Sequence, residues 1–474
     1  MSVWINVIVA TIGAALYLPT LAAGPLWLDP SEFIAGAVSL GVVHPPGHPT
    51  YIFLAKLLSF IPLGGLAFRI HLFSALCGIC ASCVLANITF RIAEKVQGDS
   101  LRKTSEIAGV VAGAGLLISR ACWEQSVRAE VYTLNLLLAL LLLWLVIRWL
   151  ETRKANVMTV VAVIAGLAIG NHHYLIFFAL ITPVMILLSC REGRHLLASA
   201  TGLYSVLLGL MALVVYAYIP IRSGTWPVID WGHPTTLARF WDTLTAAAFQ
   251  GSVDSSVRNA SLFDNMLFAS AVTLSQLGIP AILLAIIGWV GVIGAAWRYG
   301  ALLVGSYICC LMTKSLMFID PANPDDHGYF ALAVAMCSAG VGLSVPVVVR
   351  YCRGYGRMFG LVGVSASIIA SLASVYTPRM YDVSQDTSVE AFLEPIFESI
   401  PPKSLLSLQY YGLYFNGWYS QIIEGRRPDV AIVQQTFDTQ RYAGKWYLHS
   451  LVRRYPDLVE VAQQVTDSGQ FPSD

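Results

Sequence analysis

Apolar residues run in long blocks from Ser2 to about Tyr376, separated by short polar clusters. A membrane-spanning helix needs about 20 apolar residues, and cytoplasmic connections carry an excess of Lys and Arg. On those two grounds the blocks at 3–22, 66–90, 106–121, 131–150, 156–171, 173–190, 196–220, 270–297, 300–318, 328–350 and 358–376 predict eleven helices. After about Tyr376 the pattern changes, and this last fifth holds twelve of the 28 acidic and eight of the 29 basic residues. There Leu405 to Leu408 reads as a strand, Tyr414 to Ile423 as a helix and Val430 to Gln434 as a second strand. The expected fold class is an all-α polytopic membrane domain over 1–376, followed by a small soluble α/β module over 377–474.

Composition strengthens this reading. Apolar residues make up 56% of the chain, only 12% are charged, and the mean hydropathy is +0.66. Soluble proteins average about 25% charged residues. A net charge of +1 gives no field to draw nucleic acid. The segment Met1 to Leu21 is too long and too little basic for a cleaved signal and is expected to stay as the first span. Cys77, Cys80 and Cys83 sit inside an apolar helix without acidic or His neighbours, so they are expected to be small packing residues rather than metal ligands.

Basic residues mark every second connection: Arg91, Lys95, Arg102 and Lys103; Arg148, Arg153 and Lys154; Arg191 and Arg194; Arg298; Arg350, Arg353 and Arg357. These connections are assigned to the cytoplasm. The stretch from Asn156 to Cys190 has basic flanks at both ends, so it is expected to be two short helices turning at Asn171-His172-His173 on the far side. The long loops at 23–65 and 221–268 and the C-terminal module then lie outside the cytoplasm. Acids and histidines gather on that same side: Asp29, Glu32, His44, His48, Glu124, Glu130, His172, His173, Asp230, His233, Asp320, Asp325, Asp326 and His327. Asn259-Ala260-Ser261 is a glycosylation acceptor only if that side is a secretory lumen.

The first of these loops carries most of the chemistry. Asp29 and Glu32, three apart, share one helical face, with Pro30 in the first turn. The run Pro45-Pro46-Gly47-His48-Pro49 then breaks the helix and leads into an apolar stretch, 50–63, that is short for a span. Two helices lying on the membrane surface are expected.

This arrangement resembles the GT-C superfamily of membrane glycosyltransferases. The string Asp29-x-x-Glu32-Phe33, with Leu40-Gly41-Val42-x-His44-Pro45-Pro46-Gly47-x-Pro49 and Ala67-Phe68-Arg69, is similar to the transmembrane O-mannosyltransferases of the endoplasmic reticulum and their bacterial relatives. Trp123-x-x-Ser126-x-x-Ala129-Glu130-Val131-Tyr132, Gly170-Asn171-His172-His173, Pro220-Ile221-Arg222-Ser223 and Asp230-Trp231-Gly232-x-Pro234 follow in the family's order. Pro401-Pro402-Lys403 and Glu424-Gly425-x-Arg427-Pro428-Asp429 extend the likeness into the tail. Pro30, His48 and His233 depart from the family pattern.

The resemblance implies transfer of a sugar, mannose in the eukaryotic members, from a polyprenyl- or dolichyl-phosphate donor to an acceptor hydroxyl on a protein Ser/Thr or a glycan. Such a donor leaves as an anion, so the acceptor needs a base and the phosphate needs a cation. Asp29 is expected as the base, with Glu32 second. For the phosphate, Arg222 is expected on the strength of its guanidinium fork, with Arg128 as rival. His44 and His173 are candidates for donor contact or acid–base work, and Glu130 either shares in catalysis or holds the second loop against the first. No ligand spacing requires a metal, although His172, His173 and the Asp325-Asp326-His327 group are of types that suit divalent cations. The partners implied are membrane lipids, the lipid-linked donor and the acceptor. A transporter or flippase of a lipid-linked substrate is the competing class, but the spans carry few charges and no internal repeat is evident.

Overall fold

The computed structural model describes residues 3–97, 102–247, 261–316, 319–377, 380–408, 410–434 and 450–468. Residues 248–260 of the expected outer loop 221–268, Asn259 among them, lie outside these. In chain order the helices are α1 (Val3–Tyr17), α2 (Pro30–Ser39), α3 (Pro49–Ser59), α4 (Leu66–Gln97), α5 (Arg102–Leu117), α6 (Arg120–Ser126), α7 (Val131–Thr152), α8 (Ala155–Asn171), α9 (Ile176–Leu188), α10 (Arg191–Leu197), α11 (Ala200–Ala212), α12 (Tyr218–Ser223) and α13 (Leu237–Leu244). They continue with α14 (Leu262–Ser275), α15 (Ile279–Ser315), α16 (Pro324–Tyr329), α17 (Ala331–Tyr351), α18 (Gly354–Val375) and α19 (Ser388–Ser399). The chain then forms β1 (Leu405–Leu408), α20 (Tyr411–Ile422), β2 (Ala431–Gln434) and α21 (Val459–Ser468).

Seven of the described helical stretches are long and apolar enough to cross a membrane, eight if α5 and α6, bent by 61°, form one span. Among the described residues the eleven expected blocks all lie on helical segments, but 106–121 is divided between α5 and α6, 196–220 is interrupted by a 3-10 turn at Leu213–Ala217 before α12, and the region 270–318 differs further. The block 270–297 does not begin a single helix: Gly278, at φ 77°, ends the preceding segment and Pro280 opens α15. The 37-residue α15 is itself two arms, because Ala296 leaves helical geometry at φ −153° and ψ 67°. A Cβ on Gly300 would lie 2.9 Å from the Cα of Ile293, whereas seven residues of straight helix rise about 10.5 Å. The chain therefore turns back on itself there, beside Arg298.

Lipid offers no hydrophobic drive for helices to associate, so close backbone contact at small residues holds such bundles together. A Cβ on Gly288 of α15 would sit 2.0 Å from the carbonyl of Gly340 in α17, and one on Gly109 of α5 would sit 2.7 Å from that of Ala86 in α4. Helix α17 is buried along almost its whole length and forms the centre of the bundle. Of the three cysteines in α4, Cys77 is buried and Cys83 partly so, but Cys80 faces outward.

The first long loop packs back onto this bundle. Lys56 of α3 donates to the Val38 carbonyl at 2.6 Å and ties the end of α2 to α3. Val42 and Asp230 form a parallel bridge, with Val42 N donating to Ile229 O at 2.8 Å and Trp231 N to Val42 O at 3.0 Å. Two loops remote in sequence are thus joined through backbone.

In the C-terminal module β1 and β2 pair in parallel, Leu405 opposite Ala431, with α20 as the crossover that a parallel pair requires. The strand–helix–strand order matches the expectation, with the helix beginning three residues earlier. Arg427 donates to Asp429 twice at 3.0 Å and to the carbonyls of Ile400 and Pro401, also at 3.0 Å. The Glu424-Gly425-x-Arg427-Pro428-Asp429 string is a brace for the turn before β2.

Candidate active site

Asp29 stands immediately before α2, whose first turn contains Glu32. The α-helical spacing places both on one face, but their surroundings differ. Glu32 is fully buried and holds three donors: the backbone nitrogen of His44 at 2.9 Å, the ring Nδ1 of His44 at 2.5 Å and the indole Nε1 of Trp231 at 2.5 Å. Asp29 is partly open, 19% exposed at the side chain, and lies 3.8 Å from the other ring nitrogen of His44. His44 therefore bridges the two acids. Burial alone would lower its pKa, but Glu32 and then Asp29 outweigh burial and push it up to about 9.

A second cluster meets the first at Asp29. Glu130 occupies the residue immediately before α7, and Asp325 lies in the first turn of α16. Asp29, Glu130 and Asp325 each offer a carboxylate oxygen, all within 4.8 Å of one another. Arg128 pairs with Asp325 and lies 3.9 Å from Glu130. Among the described residues no well-formed hydrogen bond reaches either carboxylate oxygen of Glu130 or Nε of Arg128, although all are buried. Burial first, and then Asp325, raises the pKa of Glu130 well above its ordinary value. Asp325 is raised to about 6, by burial against the opposing pull of Arg128. Asp29 is raised as well, by burial first, with His44 opposing.

Four acids, Asp29, Glu32, Glu130 and Asp325, thus face two cationic groups, Arg128 and His44. Such a pocket favours whatever brings positive charge to it. The three-oxygen set of Asp29, Glu130 and Asp325 is also the group that could hold a divalent cation, since hard cations take oxygen ligands.

The other expected residues are distributed as follows. Arg222 donates to the carbonyls of Leu40 at 2.6 Å and Ser39 at 3.0 Å, and to Thr225 Oγ1 at 3.0 Å. It closes the C-terminal end of α2, and its hydrogen bonds go to these groups rather than to the carboxylates. His173 follows α8 and keeps a buried Nδ1 that finds no partner among the described residues. The ring of His48 packs 5.2 Å from His44 and 5.0 Å from His172. Its Nδ1 donates to the carbonyl of Asn171 at 2.7 Å, leaving Nε2 buried and without a partner among the described residues. Burial first, then the nearby His44, drives the pKa of His48 well below its ordinary value. Besides any catalytic part, Glu130 joins loop to bundle through its backbone, which exchanges hydrogen bonds with Ser74 at 3.0 and 3.1 Å.

The expected grouping of His172 and His173 with Asp325, Asp326 and His327 is divided. Asp326 takes Lys314 at 2.6 Å and the backbone of Asp320 at 2.6 Å, and His327 turns to the Pro321 carbonyl at 2.9 Å. Only Asp325 joins the acid cluster. The expected site set leaves out Asp325 and Trp231. Asp325 stands in a polar run beside a span and Trp231 in a family-like string, so position marked both; their partners were not marked.

Among solved structures, ArnT from Cupriavidus metallidurans bound to undecaprenyl phosphate has a similar architecture, with a TM-score of 0.53 and 12% identity, covering 91% of this chain and 89% of that one. Its apo state gives a TM-score of 0.51, with 11% identity and coverage of 91% and 89%. The chain has the GT-C fold. Residues 29–196 also match the family described as the Protein O-mannosyl-transferase TMEM260 N-terminal domain. The Protein O-mannosyl-transferase TMEM260 of Mus musculus is 27% identical over 480 residues, which covers 94% of this chain and 64% of that relative. The chain thus spans less than two thirds of the relative's length. The GT-C resemblance read from the sequence is borne out.

Proposed function

We propose that this chain is a glycosyltransferase that moves a sugar, mannose in the named relative's activity, from a polyprenyl-phosphate donor to an acceptor hydroxyl on the extracytoplasmic face, with protein Ser/Thr as the acceptor. The observation that carries the reading is the acid cluster itself: one partly open carboxylate, Asp29, beside a buried arginine and two further buried acids. The names of the relatives support the reaction class. The undecaprenyl phosphate bound to the ArnT neighbour supports a lipid-phosphate donor.

In the proposed reaction Asp29 takes the proton of the acceptor hydroxyl as the oxygen attacks the anomeric carbon. The bond from that carbon to the phosphate oxygen breaks, and the electron pair leaves with the phosphate. Positive charge that builds at the anomeric carbon is met by the excess of carboxylates. Arg128 is the cation for the departing phosphate, because its Nε is buried beside the acids and no well-formed hydrogen bond reaches it among the described residues, whereas Arg222 is engaged in closing α2. Glu32 holds His44, which in turn orients Asp29.

The test is transfer by purified chain in nanodiscs, with labelled polyprenyl-phosphate-mannose and a Ser/Thr-rich peptide. Wild type should transfer, and Asp29→Asn should lose at least about 100-fold while melting at a similar temperature. Wild-type turnover by Asp29→Asn would overturn the base assignment.

A further inference from the structure

Helix α20 has aromatic residues at 411, 414, 415, 418 and 419. Tyr414, Phe415, Trp418 and Tyr419 are buried, but Tyr411 is half-buried and Tyr410 is 40% exposed. The helix lies on α2, and its register there is fixed by Asn416. Asn416 Oδ1 accepts from Ser31 Oγ at 2.5 Å, and its Nδ2 donates to the Leu26 carbonyl at 3.3 Å.

That register sets Phe415 against the centre of the site. Its ring stacks on His44 at 6.4 Å and meets Trp231 at 6.1 Å, the two side chains that hydrogen-bond Glu32. One turn earlier, Tyr411 packs on Phe415 at 5.5 Å and Tyr410 on Tyr411 at 5.0 Å. The ring of Tyr410 folds over Gly412, where a Cβ would come within 2.6 Å of it. A continuous aromatic strip therefore runs from His44 to the exposed edge. Burial raises the hydroxyl pKa of both tyrosines, and Asp29 is the next cause in each case, so both rings lie within its field.

We propose that Tyr410 and Tyr411 seat the acceptor, a hydroxyl-bearing polypeptide segment, against the open side of Asp29. The inference rests on the glycosyltransferase reading and specifies its acceptor side. Tyrosine suits a polypeptide because it supplies a large rigid face at low entropic cost and a hydroxyl for backbone carbonyls. The strip belongs to the C-terminal module rather than to the spanning helices, the side from which a protein segment would arrive.

The experiment uses the full chain in nanodiscs with labelled polyprenyl-phosphate-mannose and a Ser/Thr peptide at varied concentration. Peptide product and free sugar released by water are both measured. For the double variant Tyr410→Ala/Tyr411→Ala the ratio of peptide product to free sugar should fall about tenfold, through a higher KM for peptide. Tyr411→Phe, which keeps the ring, should stay within about threefold of wild type. A double variant whose ratio and peptide KM match wild type overturns the proposal, as does one whose two products fall together. Free sugar without peptide product from wild type overturns the polypeptide acceptor and leaves donor turnover established. Neither product from wild type overturns the glycosyltransferase reading and this inference with it.

Discussion

His44 gives Glu32 two hydrogen bonds, one from its backbone nitrogen at 2.9 Å and one from its ring Nδ1 at 2.5 Å. The folded state thus favours the protonated ring, whose pKa rises to about 9. The unfolded ring titrates near its ordinary value of about 6.5. The stabilisation is therefore complete below about pH 6.5 and is lost as pH rises through about 9, with a size on the order of 3 kcal/mol. Melting followed from pH 6 to 10 should show this loss in wild type and a shallower slope in His44→Gln.

Arg128 and Asp325 form a pair buried on both sides. Removing one member of such a pair costs about 3–5 kcal/mol, because the other charge is stranded. Arg128→Ala should be destabilised by that order at pH 7, and Arg128→Ala/Asp325→Asn should recover at least half of the loss. Denaturation of the four proteins in this double-mutant cycle provides the check, and additive losses would show that the two residues are independent.

Among the described residues no well-formed hydrogen bond reaches the two buried carboxylate oxygens of Glu130, and its pKa is raised by burial and by Asp325. An acid with a raised folded-state pKa weakens the fold as pH rises through its unfolded value, the reverse of the usual carboxylate case. Glu130→Gln should then melt higher than wild type at pH 7, by an amount worth about 1 kcal/mol, while transfer falls at least tenfold. A lower melting point would contradict the account of the site as a strained acid cluster.

Gly288 and Gly363 offer a matched contrast. A Cβ at Gly288 would lie 2.0 Å from a backbone carbonyl, whereas one at Gly363 meets nothing within 4 Å. Gly288→Ala should lose about 1–3 kcal/mol by forcing α15 from α17. Gly363→Ala should be neutral or gain up to about 1 kcal/mol from helix propensity. Thermal melting in detergent separates the two.

The spans were legible because lipid imposes a length and an apolar composition that a sequence carries openly. The break at Gly278 and the turn at Ala296 were less so. Both fall within apolar sequence, and there a reversal is set by packing and by one residue's backbone angles. Asp29, Glu32, His44 and Glu130 stood out as acids and a histidine beside apolar blocks, and the structure brings all four together. Asp325 stood out less, because its neighbours Asp326 and His327 carry the same kind of signal and differ only in the partners they find. Arg222 has the chemistry of an anion binder, yet three of its donors are taken by Leu40, Ser39 and Thr225. Side-chain type announces what a residue could bind, whereas its neighbours in the fold decide what it does bind.

The carboxylates and their counterparts lie far apart along the chain: Glu32 and Trp231 by 199 positions, Arg128 and Asp325 by 197. Translation at about 5–20 residues per second leaves roughly 10–40 s between the synthesis of one partner and that of the other. Through that interval the early helices are already in the bilayer while Glu32 waits for its indole and Arg128 for its acid. The site is thus among the last parts of the molecule to be completed during biogenesis, because Asp325 of α16 is the last of its acids to be made.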